Sequence, residues 1–526
     1  MNRLLTSLIV VLAATNLSAQ QIAELPKLVV GITVDQLRGD YLTYLYNAFG
    51  EKGFKRLIQN GLLYENVDFK FDHPERSSAM ATLYTGTYPS YNGIIANTLF
   101  NKSTQRIESI LYDLKFMGNY TSQTVSPNRI LTSTITDELK IGSDGLSRVY
   151  AIAPDFEQAI IGAGHAADGA FWIDDMNGKW ATTTFYRDVP FYLDRYNRTD
   201  ALDKRIEQAV WEPMLPVSAY KFVPYFTNDW SFKHSFAKIR KNQIKQFKTS
   251  ALINNEINRL VALFLENGEF GKKSCPDFLS ITYNAGTFLD GTPKQYSLET
   301  QDTYLRLDQN IGQLLDMIDK SVGLNNTLIF LTSTGNYNTD QEPTSRYHIP
   351  GGEFHPDRCT TLLNTYLMAI YGHQNWVSAY HDQQIYLNRR TIEDQKISLQ
   401  EIQQRAAEFV IQFAGIQNVV TSTQLLHGNW NPQNERYYNG FNRQLSGDLI
   451  LAIQPGWKIV SDNSIEEKHV VRMDGIPAPA IFFGPHIQHD KISRTIDATQ
   501  IAPSVAKILR IRSPNGCRVL PLPEIQ

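Results

Sequence analysis

KLVVGITVDQLRGD, at residues 27–40, is the stretch that decides the fold. Its apolar and β-branched residues follow one another without polar alternation, which predicts a β-strand buried on both faces. The strand would end at Asp35, before a loop and the helical pattern of residues 41–57. Because open α/β sheets bind ligands at the carboxyl ends of their strands, we interpret Asp35 as a candidate site residue. Capping of the following helix is the alternative.

The same design, a buried strand followed by polar residues, recurs along the chain. Residues 148–152, 277–282 and 327–332 are predicted strands, and residues 299–320 form a clear amphipathic helical pattern. Strands that alternate with helices over this length predict an α/β fold. We expect a doubly wound, mainly parallel sheet with helices on both faces.

The bulk composition excludes several classes of protein. The chain has 526 residues, a hydrophobic content of 42% and a formal net charge of −3 at pH 7, so no nucleic-acid partner is expected. Cys275, Cys359 and Cys517 have no CxxC spacing, which argues against a structural zinc site. One disulfide could form in an oxidising compartment, with its pairing open.

The amino terminus has the pattern of a secretory signal peptide at residues 1–19. Arg3 precedes an apolar stretch, and Ala19 ends a small-residue cleavage motif. The apolar part is too short to span a bilayer, and no later run approaches ~18 apolar residues. We expect a mature chain over residues 20–526 that is periplasmic or secreted and has no transmembrane segment.

Residues 72–89, DHPERSSAMATLYTGTYP, predict a loop followed by a helix that begins near Arg76 and Ser77. The first backbone N–H groups of a helix have no partner within it, and they commonly bind anions. The sequence therefore suggests an anion site at this helix start.

Three segments carry a resemblance to a known family. They are VDQLRGDYL at residues 34–42, LYTGTYPSYNGIIANTLF at residues 83–100 and GAGHAADGAFWIDDMNGKW at residues 162–180. They are similar to the first strand with its metal aspartate, to the segment that ends at an active-site asparagine (here Asn97), and to the crossing into a cap. The chain resembles the alkaline phosphatase superfamily, in particular bacterial alkaline phosphatases close to nucleotide pyrophosphatases and phosphodiesterases.

The resemblance implies an alkaline-phosphatase-like fold over nearly the whole mature chain. It places an inserted cap at about residues 170–270 and a second insertion at about residues 345–445. The family hydrolyses phosphate esters with two zinc ions, typically ~4 Å apart, which activate a Ser or Thr nucleophile.

The residues at the family's catalytic positions differ from that pattern. The resemblance puts Arg76 at the nucleophile position. It puts Asp155 and Glu157 at the positions of a phosphate-contacting Lys-x-Arg, which reverses the charge. If the correspondence shifts by a residue or two, Ser77 or Ser78 becomes a candidate nucleophile and Asp290 a candidate ligand.

The metal positions differ as well. The family's Asp-x-x-x-His falls on Tyr283 and Thr287, its Asp-His on Thr334 and Gly335, and its last metal His on Pro477. Zinc sites need several Asp, His or Cys ligands. Zinc is expected for the family, but with these ligands absent we predict no cofactor.

Arg76 has two interpretations. It could pair with Asp35 and fill the space that the cations leave, or it could grip an anionic ligand with two N–H groups. The acidic Asp155 and Glu157 argue against phosphate at the family's position. The residues of this expected vestigial pocket are Asp35, Arg76, Ser77, Asn97, Asp155, Glu157, Tyr283, Thr287 and Thr334.

Three functions remain open. The first is a pseudoenzyme, a non-catalytic binding or scaffold protein of the cell envelope that contacts an envelope protein partly through aromatic residues of the cap. These residues are Trp211, Tyr220, Phe222, Tyr225, Phe226 and Trp230. The alternative is that they only pack the cap onto the core. The second is a metal-dependent phosphomonoester or phosphodiester hydrolase with an atypical or relocated site. The third is a carbohydrate- or glycolipid-binding module that uses the aromatic cap at residues 185–230.

Overall fold

The structure is a computed structural model that describes residues 24–220, 231–237, 242–286, 288, 297–335, 337, 351–428, 431–460, 469–470 and 477–525. The predicted signal peptide at residues 1–19 lies outside these ranges, as does Thr287.

The strands, in chain order, are β1 (Leu28–Asp35), β2 (Leu62–Asp68), β3 (Thr98–Asn101), β4 (Arg106–Ser109), β5 (Gly118–Asn119), β6 (Val149–Ala153), β7 (Gly169–Ile173), β8 (Trp180–Thr183), β9 (Val210–Trp211), β10 (His234–Ser235), β11 (Asp277–Asn284), β12 (Thr327–Ser333), β13 (Glu353–Phe354), β14 (Val377–His381), β15 (Gln384–Leu387), β16 (Ile416–Thr421), β17 (Leu449–Ile453), β18 (Lys458–Ile459), β19 (His469–Val470), β20 (Ala478–Phe483), β21 (Asp490–Ile492) and β22 (Ile496–Asp497).

The α-helices are α1 (Gly39–Tyr44), α2 (Phe54–Asn60), α3 (Arg76–Thr85), α4 (Pro89–Asn92), α5 (Ile135–Gly142), α6 (Phe156–Ala163), α7 (Phe191–Thr199), α8 (Gln243–Lys248), α9 (Ile253–Asn267), α10 (Ser297–Ser321), α11 (Pro356–Tyr371), α12 (Arg389–Asp394), α13 (Leu399–Val410), α14 (Ser422–His427), α15 (Glu435–Gly440) and α16 (Ile501–Leu509).

An eleven-stranded central sheet organises the molecule, in the order β21-β2-β20-β12-β1-β11-β6-β7-β8-β5 with β22 paired to β2. The strands from β12 to β7 are parallel to one another, and antiparallel strands flank them. Every residue of β1 is buried, as its continuous apolar pattern predicts. The register pairs Asp35 with Asn284 of β11 and Val34 with Ser333 of β12, so the carboxyl ends of these strands meet at one edge.

Helices cover both faces of the sheet, which confirms the predicted doubly wound α/β fold. Apolar residues of α9 and α10 form one core with β1 and β11, and those of α3 and α6 form the other. Gly31 of β1 faces α3. A Cβ atom there would lie 2.7 Å from Phe330 Cζ and 2.8 Å from Tyr84 Oη, so glycine lets α3 pack close to the sheet.

The helical pattern predicted for residues 41–57 is wrong over its middle. Helix α1 ends at Tyr44, one 3-10 turn follows, and α2 begins only at Phe54. The cause is a distant carboxylate: Asp308 accepts hydrogen bonds from the N–H groups of Gly50 and Phe54, each at 2.7 Å. These contacts fix a loop where the sequence pattern suggested a continuous helix.

The range of residues 170–270 contains two kinds of structure. β7 and β8 pair as a hairpin of the central sheet, and α9 belongs to the core beneath the sheet. The described elements between β8 and α9, within residues 184–220, 231–237 and 242–248, lie outside the central sheet. We use the word cap for this narrower segment.

Residues 351–460 build a smaller unit around the four-stranded sheet β14-β15-β17-β16. Helices α11 and α13 pack on it and share a core of their own. Within the described ranges, no helix combines the length and the apolar character that crossing a bilayer requires.

Candidate functional site

A row of alternating charges crosses the carboxyl edge of the parallel strands. Arg76, the first residue of α3, donates from Nε to Asp35 Oδ2 at 2.8 Å and from Nη1 to Asp155 Oδ2 at 2.6 Å. Lys248, the last residue of α8, places Nζ 2.5 Å from Asp155 Oδ1 and 2.5 Å from Asp175 Oδ1. We call Asp35, Arg76, Asp155, Lys248 and Asp175 the charge chain.

Each carboxylate oxygen of Asp35 has a hydrogen-bond partner. Oδ2 pairs with Arg76, and Oδ1 accepts a hydrogen bond from Thr334 Oγ1 at 2.8 Å. Its side chain is only 3% exposed. The interpretation that Arg76 forms an ion pair with Asp35 is therefore confirmed. Asp35 does not cap the following helix, whose N-cap residue is Arg38.

At the start of α3, the amides of Ser77 and Ser78 donate to side chains, which argues against an anion bound by these two groups. Asn97 Oδ1 accepts hydrogen bonds from Ser77 N at 3.0 Å and from Ser77 Oγ at 2.7 Å. The next amide is taken by Glu75, which forms a capping box with Ser78. Glu75 also accepts from Asn97 N at 2.6 Å. A carboxylate and an amide oxygen thus occupy the place of an anion.

Burial and neighbouring charges shift the pKa values of Asp155, Arg76 and Glu157. Burial opposes ionisation of Asp155, but Lys248 and Arg76 lower the pKa of this carboxyl to about 2. Burial works against the charged Arg76 as well, and Asp35 and Asp155 nevertheless keep the guanidinium pKa above its ordinary value. For Glu157, burial and then the charge of Asp155 raise the pKa to about 7. Asp155 and Arg76 are therefore ionised at neutral pH, whereas Glu157 titrates near pH 7.

The structure brings together Asp35, Arg76, Ser77, Asn97, Asp155, Glu157 and Thr334. Tyr283 is different, because its fully buried ring lies in the core beneath the sheet and its hydroxyl bonds Asn258 Oδ1. Placing Tyr283 in the pocket was wrong: consecutive residues of a strand face opposite sides. Thr287 and Asp290 lie outside the described residues.

Sequence reasoning missed Lys248 and Asp175. One signal was present: Asp155 is acidic at a position where the resemblance expects a basic residue. Its charge indicated that a cation from elsewhere in the chain must neutralise it. Nothing local identified that cation, because Lys248 reaches Asp155 from α8, far along the chain.

Of the cap aromatics expected at a partner surface, Trp211 and Tyr220 are buried, and Phe222, Tyr225, Phe226 and Trp230 lie outside the described residues. Trp211 is 0% exposed and Tyr220 is 6% exposed. Trp211 Nε1 and Tyr220 Oη donate to the two oxygens of Asp302 at 2.6 Å and 2.7 Å. These two side chains attach the cap to α10, and assigning them to a binding surface was wrong.

The residue types at the edge do not fit a pair of zinc ions. Zinc ligands are Asp, Glu, His and Cys, whereas the side chains that contact the Asp35 carboxylate are those of Thr334 and Arg76. A guanidinium is permanently protonated and cannot donate a lone pair to a metal. Across the described ranges, no group of three or more His, Cys, Asp or Glu side chains is arranged to hold a metal ion.

Comparison with known proteins identifies what the fold is similar to. A family model described as "Type I phosphodiesterase / nucleotide pyrophosphatase" matches residues 29–477. A protein of Myroides odoratus named "Calcium-transporting ATPase" is 29% identical over 532 residues, covering 96% of each chain. Alkaline phosphatase PhoV of Synechococcus elongatus is 27% identical, over 93% of this chain and 91% of its own. The crystal structure of alkaline phosphatase PafA superimposes with a TM-score of 0.83 at 25% identity, over 96% of this chain and 100% of that one.

Proposed function

The chain belongs to the type I phosphodiesterase / nucleotide pyrophosphatase family of alkaline-phosphatase-like proteins, and from this premise we propose that it is a non-catalytic member. In this proposal it is a periplasmic or secreted binding or scaffold protein of the cell envelope. The observation that carries the proposal is Arg76. Its guanidinium stands at the position assigned to the nucleophile and joins Asp35 to Asp155. A guanidinium is neither a nucleophile nor a metal ligand.

The charges at the edge support the same proposal. Three carboxylates of the charge chain face two cations, and Glu157 adds a further acidic group beside them. A phosphate ester is an anion, and like charges at short distance repel strongly at a partly buried site. The remaining charge therefore disfavours the substrates of the family.

A hydrolase with a relocated site is the second candidate, and it needs a nucleophile near Arg76. Ser77 and Ser78 are the hydroxyls at the start of α3, and both are 0% exposed. Ser77 Oγ is hydrogen-bonded to Asn97 and Ser78 Oγ to Glu75. Neither hydroxyl is placed to attack a substrate, which favours the non-catalytic proposal.

The test measures metal content and turnover in the purified mature protein. We expect no stoichiometric zinc by elemental analysis and no hydrolysis of aryl phosphates or phosphodiesters above background. Arg76→Thr is the matched variant: it supplies a hydroxyl at the nucleophile position, and it should remain inactive because the metal ligands are also missing. Two zinc ions per chain, or turnover that Asp35→Ala abolishes, would replace this proposal by the hydrolase.

The scaffold role has its own test. Native complexes from an envelope extract should contain the protein at a size above that of its monomer, and the purified protein should have the monomer size. A monomer in both preparations would contradict a stable envelope partner. Since Trp211 and Tyr220 are buried, their substitution should destabilise the protein and not act on partner binding alone.

A further inference from the structure

Three threonine side chains lie next to one another in the central sheet, and their hydroxyl groups have no hydrogen-bond partner. The register pairs Thr33 of β1 with Thr282 of β11 and with Thr332 of β12. Residues paired in this way in a parallel sheet project to the same face. Each side chain is at most 1% exposed, and among the described residues nothing bonds the three Oγ1 atoms. We call these three residues the threonine row.

The threonine row lies on the face that α3 covers, below the charge chain. Thr33 precedes Asp35 by two residues in β1, so both side chains are on the face where Arg76 of α3 contacts Asp35. Near the other end of α3, Tyr84 Oη lies close to Thr33, but its hydrogen bond is with Ser280 Oγ at 2.7 Å. The row is therefore enclosed by the sheet and a helix and shares its face with buried charges.

A fourth polar atom without a partner lies at the β11 end of the row. Gln158 of α6 is 1% exposed, and within the described ranges its Oε1 atom has no hydrogen-bond partner. Four residues later, Gly162 lies against β11, where an added Cβ atom would be 2.4 Å from Ser280 Oγ. α6 joins the parallel strands β6 and β7 and runs back along them. One helical turn from Gly162 toward the start of α6 thus matches the two residues from Ser280 to Thr282, which puts Gln158 at the level of Thr282.

The spacing of the strands explains why the threonine hydroxyls do not bond one another. Neighbouring strands are about 4.8 Å apart, whereas two hydroxyl oxygens that share a hydrogen bond are about 2.7 Å apart. A direct bond between equivalent oxygens of the row is therefore too long. A water molecule between two such oxygens can lie about 2.8 Å from each of them, which is an ordinary hydrogen-bond length.

We propose that the threonine row is an internal hydration site, in which water molecules bridge the three threonine hydroxyls and the amide of Gln158. Buried water in proteins makes about three hydrogen bonds to polar groups that otherwise lack a partner, and this site supplies four such groups. A cation is disfavoured, because the four groups carry no charge and the guanidinium of Arg76 lies on the same face. The inference goes beyond the proposed function and does not depend on it.

Replacement of a threonine by valine distinguishes a hydrated row from a dry one by its sign. Valine keeps the shape of threonine and removes the hydroxyl. If that hydroxyl has no partner, its removal relieves the cost of burying a polar group, so stability rises. If it binds water, its removal breaks the bond and leaves the neighbouring hydroxyl unpaired, so stability falls.

Urea unfolding of the mature protein measures this sign. We expect Thr282→Val and Thr332→Val each to lower the urea midpoint. Thr182→Val is the matched control: Thr182 of β8 is 1% exposed, and its Oγ1 atom also has no partner among the described residues. Its neighbour across β5 is Asn119, whose amide is bonded to Asp188, so Thr182 faces no second unpaired group there. The midpoint of Thr182→Val should stay the same or rise.

A crystal structure that shows ordered solvent is the direct measurement. We expect solvent density within about 3.2 Å of at least two oxygen atoms of the row, and Thr282→Val should lose the density next to residue 282. Three outcomes would overturn the proposal. They are a row without solvent density, an unchanged or higher midpoint in Thr282→Val and Thr332→Val, and a fall in Thr182→Val equal to theirs.

Discussion

A carboxylate with little exposure lies at each end of α6, and the two are stabilised by different kinds of hydrogen-bond donor. At its carboxyl end, Asp137 accepts hydrogen bonds from the backbone N–H groups of His165 at 2.7 Å and Ala166 at 2.8 Å, and it pairs with His165 Nδ1 at 2.9 Å. At its amino end, Asp155 is held by Arg76 and Lys248, two long side chains from other helices.

The two carboxylates differ in whether their hydrogen-bond donors belong to the nearby backbone or to side chains from distant helices. The donors to Asp137 are largely peptide groups, whose positions are fixed once the fold forms, so the carboxylate is stabilised at little entropic cost. The donors to Asp155 are flexible side chains that must each be ordered. The amino end consequently depends on several long-range partners, and removal of one partner leaves a buried charge.

Arg76→Met is expected to have the largest effect. It leaves Asp35 without its cation and Asp155 with Lys248 alone, and breaking a buried pair in this way costs about 3–5 kcal/mol in the free energy of unfolding. The double variant Arg76→Met/Asp35→Leu should recover much of this loss, as judged by urea unfolding of both proteins. Wild-type midpoints in both variants would mean that the pair is solvated and contributes nothing.

The same comparison predicts the response to acid. The pKa of Asp155 is lowered to about 2, so its contribution to stability is present above its ordinary value of 3.8 and is lost as pH falls toward 2. The stability gap between wild type and Asp155→Asn should therefore close between pH 4 and pH 2. A gap that is constant over this range would contradict the assigned ion pairs.

His165→Gln tests the carboxyl end, with a smaller effect and the opposite dependence on pH. Burial lowers the pKa of His165, but the hydrogen bond and the charge of Asp137 raise it overall. Stability from the protonated imidazole is present below its ordinary pKa of 6.5 and is lost as pH rises through the folded value. The His165→Gln variant should be less stable than wild type by roughly 1 kcal/mol at pH 6, and by a smaller amount at pH 9. A stability difference between wild type and variant that grows as pH rises would contradict this prediction.

The two ends also differ in what the sequence could reveal. The strand at residues 27–35, its tip at Asp35 and the helix start at Arg76 follow from patterns within a few residues. The pairing of Arg76 with Asp35 followed because both positions meet at one sheet edge in the family that the chain resembles. Lys248 and Asp175 could not be found, because neither lies in a local pattern that points to Asp155. Tyr283 was misplaced because a one-residue step along a strand exchanges the site face for the core face.

Lys52→Met is expected to have the smallest effect, and it isolates burial from charge. Lys52 Nζ lies 2.7 Å from Asp316 Oδ2, as short as the contacts of the charge chain, but the two side chains are 70% and 48% exposed. Water and salt screen such a pair, so its loss should cost about 0–1 kcal/mol and vanish at high ionic strength. Arg76→Met, measured in the same urea series, should keep most of its penalty in high salt because Asp35 is only 3% exposed. If Lys52→Met and Arg76→Met lose the same stability, or respond equally to salt, burial of the charge chain does not strengthen its ion pairs. The contrast between these buried charges and ordinary surface pairs would then be false.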